Sequence, residues 1–417
     1  MAAAVFLRVS LPFAGMAFLN QAARMVVATA GPAVATSFGL SASELGGLGA
    51  LFFAAYALAQ LPVGLAIDLY GPRRVQIGLA LVAALGFLIC ATAADPLQLG
   101  VGRFVTGLGI SGALIGLMKA NALWFPRHRL AATTGAGVFI GAAGSLAASA
   151  PLQAILPMIG WRGAFLLLAA LAVMVAAWIW FSVPRQAPGP PAPPRQPLGQ
   201  EIAEFARIFC HPVFLRYAPA VALLSSLVFA YQGLWAGPWL RDVAGLEGQD
   251  RAFVLLFFSL GVMLGQLLGG QLASWLQPRG IAPMLVPFVG MGLMAVSQVL
   301  LILAPGGLWA LCLLWFVFAY AGSCGPVAYA LLSHRFPTKL TGRVTTAINF
   351  TMLATVFVLQ IVIGWILDLL PRTAAGGWNS VGYGWALGLT LALQALSVLW
   401  MLRAPLPDEG KPAHVGE

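Results

Sequence analysis

"PVGLAIDLYGPRRVQ" (residues 62–76) joins two long apolar runs through a corner only a few residues wide. Asp68 stands at the end of the first run, Gly71 and Pro72 interrupt it, and Arg73 and Arg74 open the second. Glycine and proline together end a helix and let the chain turn. A carboxylate and two guanidinium groups packed into such a corner mark a boundary between an apolar solvent and water. The flanking runs are each about 20 residues, long enough to cross a bilayer as helices.

The rest of the chain repeats this pattern. Of its 417 residues 60% are hydrophobic and 8% charged, whereas a soluble domain carries about 25% charged residues. So little charge cannot cover a globular surface, so the surroundings are mostly lipid. About twelve apolar runs follow one another by hydropathy. They start near Phe6, Leu45, Val75, Leu97, Leu130, Gly163, Val213, Ala252, Met284, Leu308, Val344 and Tyr383. Glycine and proline inside them are compatible with membrane helices. The runs are continuous rather than alternating, which excludes a β-barrel. The opening segment has almost no basic residues before its apolar run, which continues past any cleavage point, so it reads as the first span rather than a signal peptide.

A net charge of +10 could suggest nucleic acid, but its distribution argues against that. Arg73, Arg74, Arg127, Arg129, Arg185, Arg195, Arg207, Arg216, Arg279, Arg335, Lys339 and Arg343 fall in or beside alternate loops. The other loops carry Arg162, Arg241, Arg251 and Arg372, diluted by Glu44, Asp95, Asp242, Glu247, Asp250 and Asp368. This positive-inside asymmetry predicts a multi-pass protein of a bacterial inner membrane with both termini and the middle loop in the cytoplasm. Cys90, Cys210, Cys312 and Cys324 have neither metal-ligand nor disulfide spacing. No nucleotide loop, catalytic constellation or cofactor motif stands out, so the expectation is a non-enzyme with no cofactor and no bound metal.

Residues 183–200, "VPRQAPGPPAPPRQPLGQ", are too rich in proline to stay helical. They divide the chain into an N-terminal six-helix bundle (1–184), a Pro-rich cytoplasmic linker (185–212), a C-terminal six-helix bundle (213–405) and a cytoplasmic tail (406–417). The halves echo each other. Gly64 aligns with Gly270, Pro72 with Pro278 and Arg73 with Arg279, and Phe125-Pro126 parallels Phe336-Pro337. Parallel halves of this kind are the mark of a duplicated transporter.

The stretch Gly64, Asp68, Gly71, Arg73, Arg74 resembles the cytoplasmic signature of the major facilitator superfamily between its second and third helices. "GRFVTGLG" (102–109) is similar to that family's fourth-helix signature. The resemblance implies an all-α integral membrane protein with twelve transmembrane helices in two pseudo-symmetric six-helix bundles. It also implies a monomer in the lipid bilayer that takes a small-molecule substrate, with or without a coupling ion. In that setting Gly64, Asp68, Gly71, Arg73 and Arg74 form a conformational latch. Asp68, costly to leave unpaired at the membrane edge, closes the cytoplasmic side against a basic partner or a helix N-terminus.

Ionisable residues inside a span are functional candidates. Arg24 lies about 20 Å along the first helix, near the midplane. This region also resembles the organic-anion (anion:cation symporter) branch, in which a first-helix arginine pairs with the substrate carboxylate. Arg24 matches that arginine, with Asn20 and Gln21 as polar neighbours, but the acid expected just before it is Ala23. Arg103 either draws anions inward or braces packing. Lys119 stands where the branch carries an acid, and a lysine there either meets the anion or snorkels to the interface. Tyr231, Gln232 and Trp235 in "FAYQGLWAGPWLRD", with Asn349 and Gln360 in the eleventh span, complete the candidate substrate contacts. The expected function is transport of a small organic anion by rocking of the bundles. The alternatives are export of amphipathic, drug-like compounds and a non-transporting sensor or assembly factor on the same fold.

Overall fold

The computed structural model describes residues 2–126, 129–185, 198–304, 306–337, 340–374 and 376–402. The Pro-rich stretch 186–197, the tail from 403 on, and Arg127, Arg195 and Lys339 among the loop bases lie outside them. Among the described residues every regular element is helical. We number the helices α1 (Leu11–Phe38), α2 (Ala42–Tyr70), α3 (Pro72–Ala91), α4 (Pro96–Trp124), α5 (Leu130–Ala147) and α6 (Ala150–Ser182). They continue as α7 (Leu198–Cys210), α8 (Pro212–Asp242), α9 (Gly248–Arg279), α10 (Leu285–Ile302), α11 (Leu308–Ser333), α12 (Thr341–Asp368) and α13 (Ser380–Met401). Among the described residues ten are long and apolar enough to cross a membrane. The helices α1, α5 and α7 are the others. Asn20, Gln21 and Arg24 dilute the hydropathy of α1, although 28 residues give it ample length.

Local sequence explains the boundaries. Ser41 and Glu44 form a reciprocal cap on α2: the Ser41 hydroxyl accepts from Glu44 N at 3.1 Å, and Glu44 accepts from Ser41 N at 2.8 Å. At the far end of α2, Gly71 adopts φ +80°, which glycine reaches without steric cost, and Pro72 then starts α3. Gly160 (φ +66°) breaks α6, dividing residues 150–159 from 161–182.

Helices α1–α6 pack chiefly on one another, as do α8–α13; the main seams between the groups are α2 on α12, α1 on α8, and α9 on α5 and α6. Close approach at these seams depends on glycine. A Cβ on Gly364 of α12 would stand 2.6 Å from the Ala42 carbonyl oxygen of α2. Gly46 lies against the Gln360 backbone, and Gly237 against the Ala28 carbonyl. At the same end Asp368 accepts from Ala42 N (2.9 Å) and Ser43 N (2.8 Å), and Arg372 donates to Leu40 O. The described hydrogen bonds between the groups reach inward as far as Asn349 Nδ2 to Gln60 Oε1, 3.2 Å. Nearer the basic loops Asp68 pairs with Lys119, Arg73 donates to Trp180 O and Arg279 to Trp275 O, each within one group. The molecule is thus clasped at the end carrying residues 40–43.

Within the stretch 185–212, Leu198–Cys210 forms α7. Ile208 is buried, the Phe209 ring stands 5.3 Å from Phe214 and 5.9 Å from Phe350, and Glu204 pairs with Arg343 at the start of α12.

Candidate functional site

Arg24 lies midway along α1 and is buried, with its guanidinium enclosed by rings from both groups of helices. Phe229 of α8 is 4.3 Å from it, Tyr56 of α2 5.2 Å and Phe53 of α2 5.9 Å. Tyr329 of α11 also stands near it. Asn20, one turn before Arg24, donates to the Tyr56 hydroxyl at 3.0 Å. Arg24 Nε and Asn20 Oδ1 are buried without hydrogen-bond partners, and among the described residues no carboxylate pairs with Arg24. Cation–π contacts stabilise a desolvated guanidinium but leave its N–H groups free to donate. The site can therefore present a fixed, unneutralised positive charge on an aromatic floor.

The other candidates are distributed around this centre. Gln21 is partly exposed on the turn before Arg24. Arg103 sits behind α1: it donates to Ala23 O at 3.2 Å and covers the Phe52 ring at 4.4 Å, which braces the backbone beside Arg24. Lys119 Nζ is 2.7 Å from Asp68 Oδ1, far from Arg24 along α4 and near the basic-loop end. Arg73 turns to Trp180, donating to its carbonyl oxygen at 2.6 Å and covering its ring at 5.1 Å. Arg74 makes no described contact with Asp68.

Tyr231, Gln232 and Trp235 fall in a π-helical segment, Tyr231–Trp235, within α8. Such segments arise where one extra residue is fitted into a helix, and they frequently occur at functional sites. Gln360 donates to Ala230 O there at 3.1 Å. Tyr231 packs on Trp315 and Phe318, and Trp235 on Trp378, with Trp235 also against Gly46 of α2. Gln232 is fully buried, with both amide atoms unpartnered. Sequence reading missed Phe53, Tyr56, Phe229 and Tyr329, which are ordinary aromatic residues in apolar helices until folding turns them toward one charge.

Comparison with known proteins agrees with this architecture. The model of the Major Facilitator Superfamily matches residues 13–359. The chain belongs to that superfamily. It is 32% identical over 312 residues to human Monocarboxylate transporter 11, a match covering 72% of this chain and 64% of that protein. It is 23% identical to a probable L-galactonate transporter of Escherichia coli, over 95% of this chain and 89% of that one. Among solved structures, a bacterial homologue of the human lysosomal transporter Spinster superposes with a TM-score of 0.73 at 18% identity, covering 95% of each chain, which shows the shared fold. The protein is a multi-pass membrane protein of a transporter family, and not an enzyme.

Proposed function

We propose that this protein carries a small organic anion, through its carboxylate, across a bacterial inner membrane by alternating access. Two six-helix bundles, residues 1–184 and 213–405, rock about a central site. We count the twelve spans by adding α1 to the ten apolar helices and dividing α5–α6 at Gly160 into two. The positive-inside rule puts the basic loops and both termini in the cytoplasm, so the clasped end faces outward and the conformation described is inward-facing.

The observation that carries this reading is Arg24: a buried guanidinium, free of any carboxylate among the described residues, held between rings from both bundles. A charge so placed is costly unless function retains it. Because the rings come from both bundles, rocking would dismantle and rebuild the site, coupling binding to conformation. Relatives described as transporters of monocarboxylate and of L-galactonate support an anionic substrate.

The test is counterflow of labelled monocarboxylates in proteoliposomes. Arg24→Ala abolishes it at normal expression and folding. Arg24→Lys rescues it poorly, because an ammonium lacks the planar fork that matches a carboxylate. Full transport by the Ala variant would refute the proposal.

A further inference from the structure

Tyr56, whose ring centroid stands 5.2 Å from the Arg24 guanidinium, is followed one turn later on α2 by Gln60, about 6 Å nearer the basic-loop end. Gln60 is buried and uses both ends of its amide. Nε2 donates to Ser111 O of α4 at 3.4 Å, and Oε1 accepts from Asn349 Nδ2 of α12 at 3.2 Å. We propose that Gln60 is a positioning residue for transport. It is the joint on which α2 and α12 swing, and its bond to Asn349 is kept while the clasped end opens and closes. This rests on the reading of the protein as an alternating-access carrier.

Contacts along the seam keep one antiparallel register. Asp368 accepts from Ala42 N, a Cβ on Gly49 would stand 3.2 Å from Gln360 Oε1, and Gln60 meets Asn349. From residue 42 to residue 60 this covers about 27 Å of helix. The close fit has ended by Gly64, one turn beyond Gln60, where a Cβ would meet nothing within 4 Å. Two helices fitted at one end and parted at the other exchange those states by turning about a contact between the ends. Groups at that contact stay within reach, whereas the two ends separate in turn. Gln60 and Asn349 stand at the inner limit of the fitted seam, where such a turning point belongs.

The backbone is weakest at the same level. Pro62, two residues past Gln60, has no N–H for Leu58 O, so α2 loses a helical bond there. Helix α4 is interrupted at Ser111 and Gly112, between the helical stretches Pro96–Ile110 and Ala113–Trp124. Side-chain amides take the carbonyls of this break. Gln60 takes that of Ser111, Gln76 of α3 that of Gly112 at 3.0 Å, and Asn20 that of Ile110 at 3.5 Å. An interrupted membrane helix is tolerated where neighbouring groups satisfy its backbone in this way. Asn20 also holds the Tyr56 hydroxyl beside Arg24. Gln60 thus ties two weak points of the first group of helices to one residue of the second.

A bond kept in both end states adds nothing to the balance between them. What it supplies is the register in which they interconvert. Its loss should blur the seam without favouring either end.

Spin labels test this on the full chain in proteoliposomes, with the exposed Cys210 changed to Ser. One labelled pair is Leu58→Cys with Thr351→Cys, level with the joint. The other is Ser43→Cys with Trp365→Cys, level with the clasp. Asp368→Asn, which weakens the clasp, should lengthen the distance between labels at 43 and 365 in part of the population and leave that between 58 and 351 in place. Gln60→Leu, which keeps the side chain's size, should broaden the 58–351 distribution. Exchanging the amides, Gln60→Asn with Asn349→Gln, should narrow it again. Counterflow of labelled lactate or gluconate gives a second readout. In Gln60→Leu the maximal rate should fall at least about threefold while the half-saturating concentration moves less than about twofold, and the exchanged pair should recover most of the rate. A 58–351 distance that changes with the clasp, or a distribution unmoved by Gln60→Leu, overturns the joint. A raised half-saturating concentration at an unchanged maximum would put Gln60 on the substrate and overturns it equally. If neither acid exchanges while the two distances behave as stated, the anion reading falls and the joint stands. If the 43–365 distance is fixed in every variant, the bundles do not rock at this seam, and alternating access and the joint fall together.

Discussion

Asp368, the last residue of α12, hydrogen-bonds the backbone N–H of Ser43, in the first turn of α2, at 2.8 Å. Its other oxygen takes Ala42 N at 2.9 Å, so one carboxylate from the second half caps a helix that belongs to the first. The N-terminus of a helix carries partial positive charge and unpaired amides, and a carboxylate there is stabilising by about 0.3–1 kcal/mol, up to ~2 when partly buried. The contact exists only while the bundles meet at this end. Asp368→Asn should therefore shift the population toward the state open at residues 40–43 by about 1–2 kcal/mol, a factor of roughly 5–30. Labelling of single cysteines at the two ends reports the shift, and unchanged labelling would exclude Asp368 as a clasp.

Gly364 sets how closely the same seam can shut. A Cβ there would stand 2.6 Å from Ala42 O and 2.8 Å from Ser43 Cα, both backbone atoms that cannot move aside alone. Gly364→Val should oppose closure by about 1–3 kcal/mol, the usual cost of overpacking. Gly47→Ala is the control, since a Cβ at Gly47 meets nothing within 4 Å. Cross-linking of cysteines placed across the seam should fall in the valine variant and persist in the alanine one. Equal cross-linking in both would mean that the seam tolerates bulk.

The sequence made the membrane class and the superfamily legible, because each rests on something local: continuous apolar runs, and the short motifs at 64–74 and 102–109. The partners of those residues were not legible. Asp68 called for a basic partner or a helix N-terminus without naming which, and folding brings Lys119 of α4 to it while the corner at Gly71 turns Arg73 toward Trp180 of α6. Phe229 and Tyr329 carry no sequence signal, since their role depends on which side of each helix faces α1. The Asp368 clasp joins residues more than 300 positions apart and could be seen only once α2 and α12 were packed together.

The Asp68–Lys119 pair makes the cytoplasmic latch testable. Both side chains are about one-third exposed, 30% and 37%, so the pair itself contributes on the order of 0.2–1 kcal/mol. If Asp68 closes the basic-loop end in the opposite state, Asp68→Asn should favour the clasped state described here by on the order of 1–2 kcal/mol. Lys119→Gln removes one competitor for Asp68 and should move the balance the other way. Cysteine accessibility at both ends distinguishes the signs. Shifts of the same sign in the two variants would make the pair a brace within one bundle and rule out the latch.

The last prediction concerns energy coupling. A proton-coupled carrier needs a group in its site that titrates near working pH. Among the described residues the rings of Phe53, Tyr56 and Phe229 surround Arg24, and no carboxylate or histidine pairs with it. Arginine holds its charge throughout the working range, and Lys119 is engaged by Asp68. His211 caps α8 from outside the spans, with Nδ1 accepting from Val213 N at 3.3 Å. Burial lowers its proton affinity, so the neutral, capping form prevails at neutral pH and is lost only as pH falls through and below the ordinary histidine range. Among the described residues the central site thus offers no carboxylate or histidine, and transport should be exchange or facilitated flux, unless a proton travels on the anion itself. Counterflow of an acid that stays ionised should then vary less than about twofold between pH ~6 and ~8, and Lys119→Gln should leave that profile flat. A tenfold change per pH unit, or uphill accumulation of such an anion driven by a pH gradient, would require a titrating residue in the transport path and would contradict this mechanism.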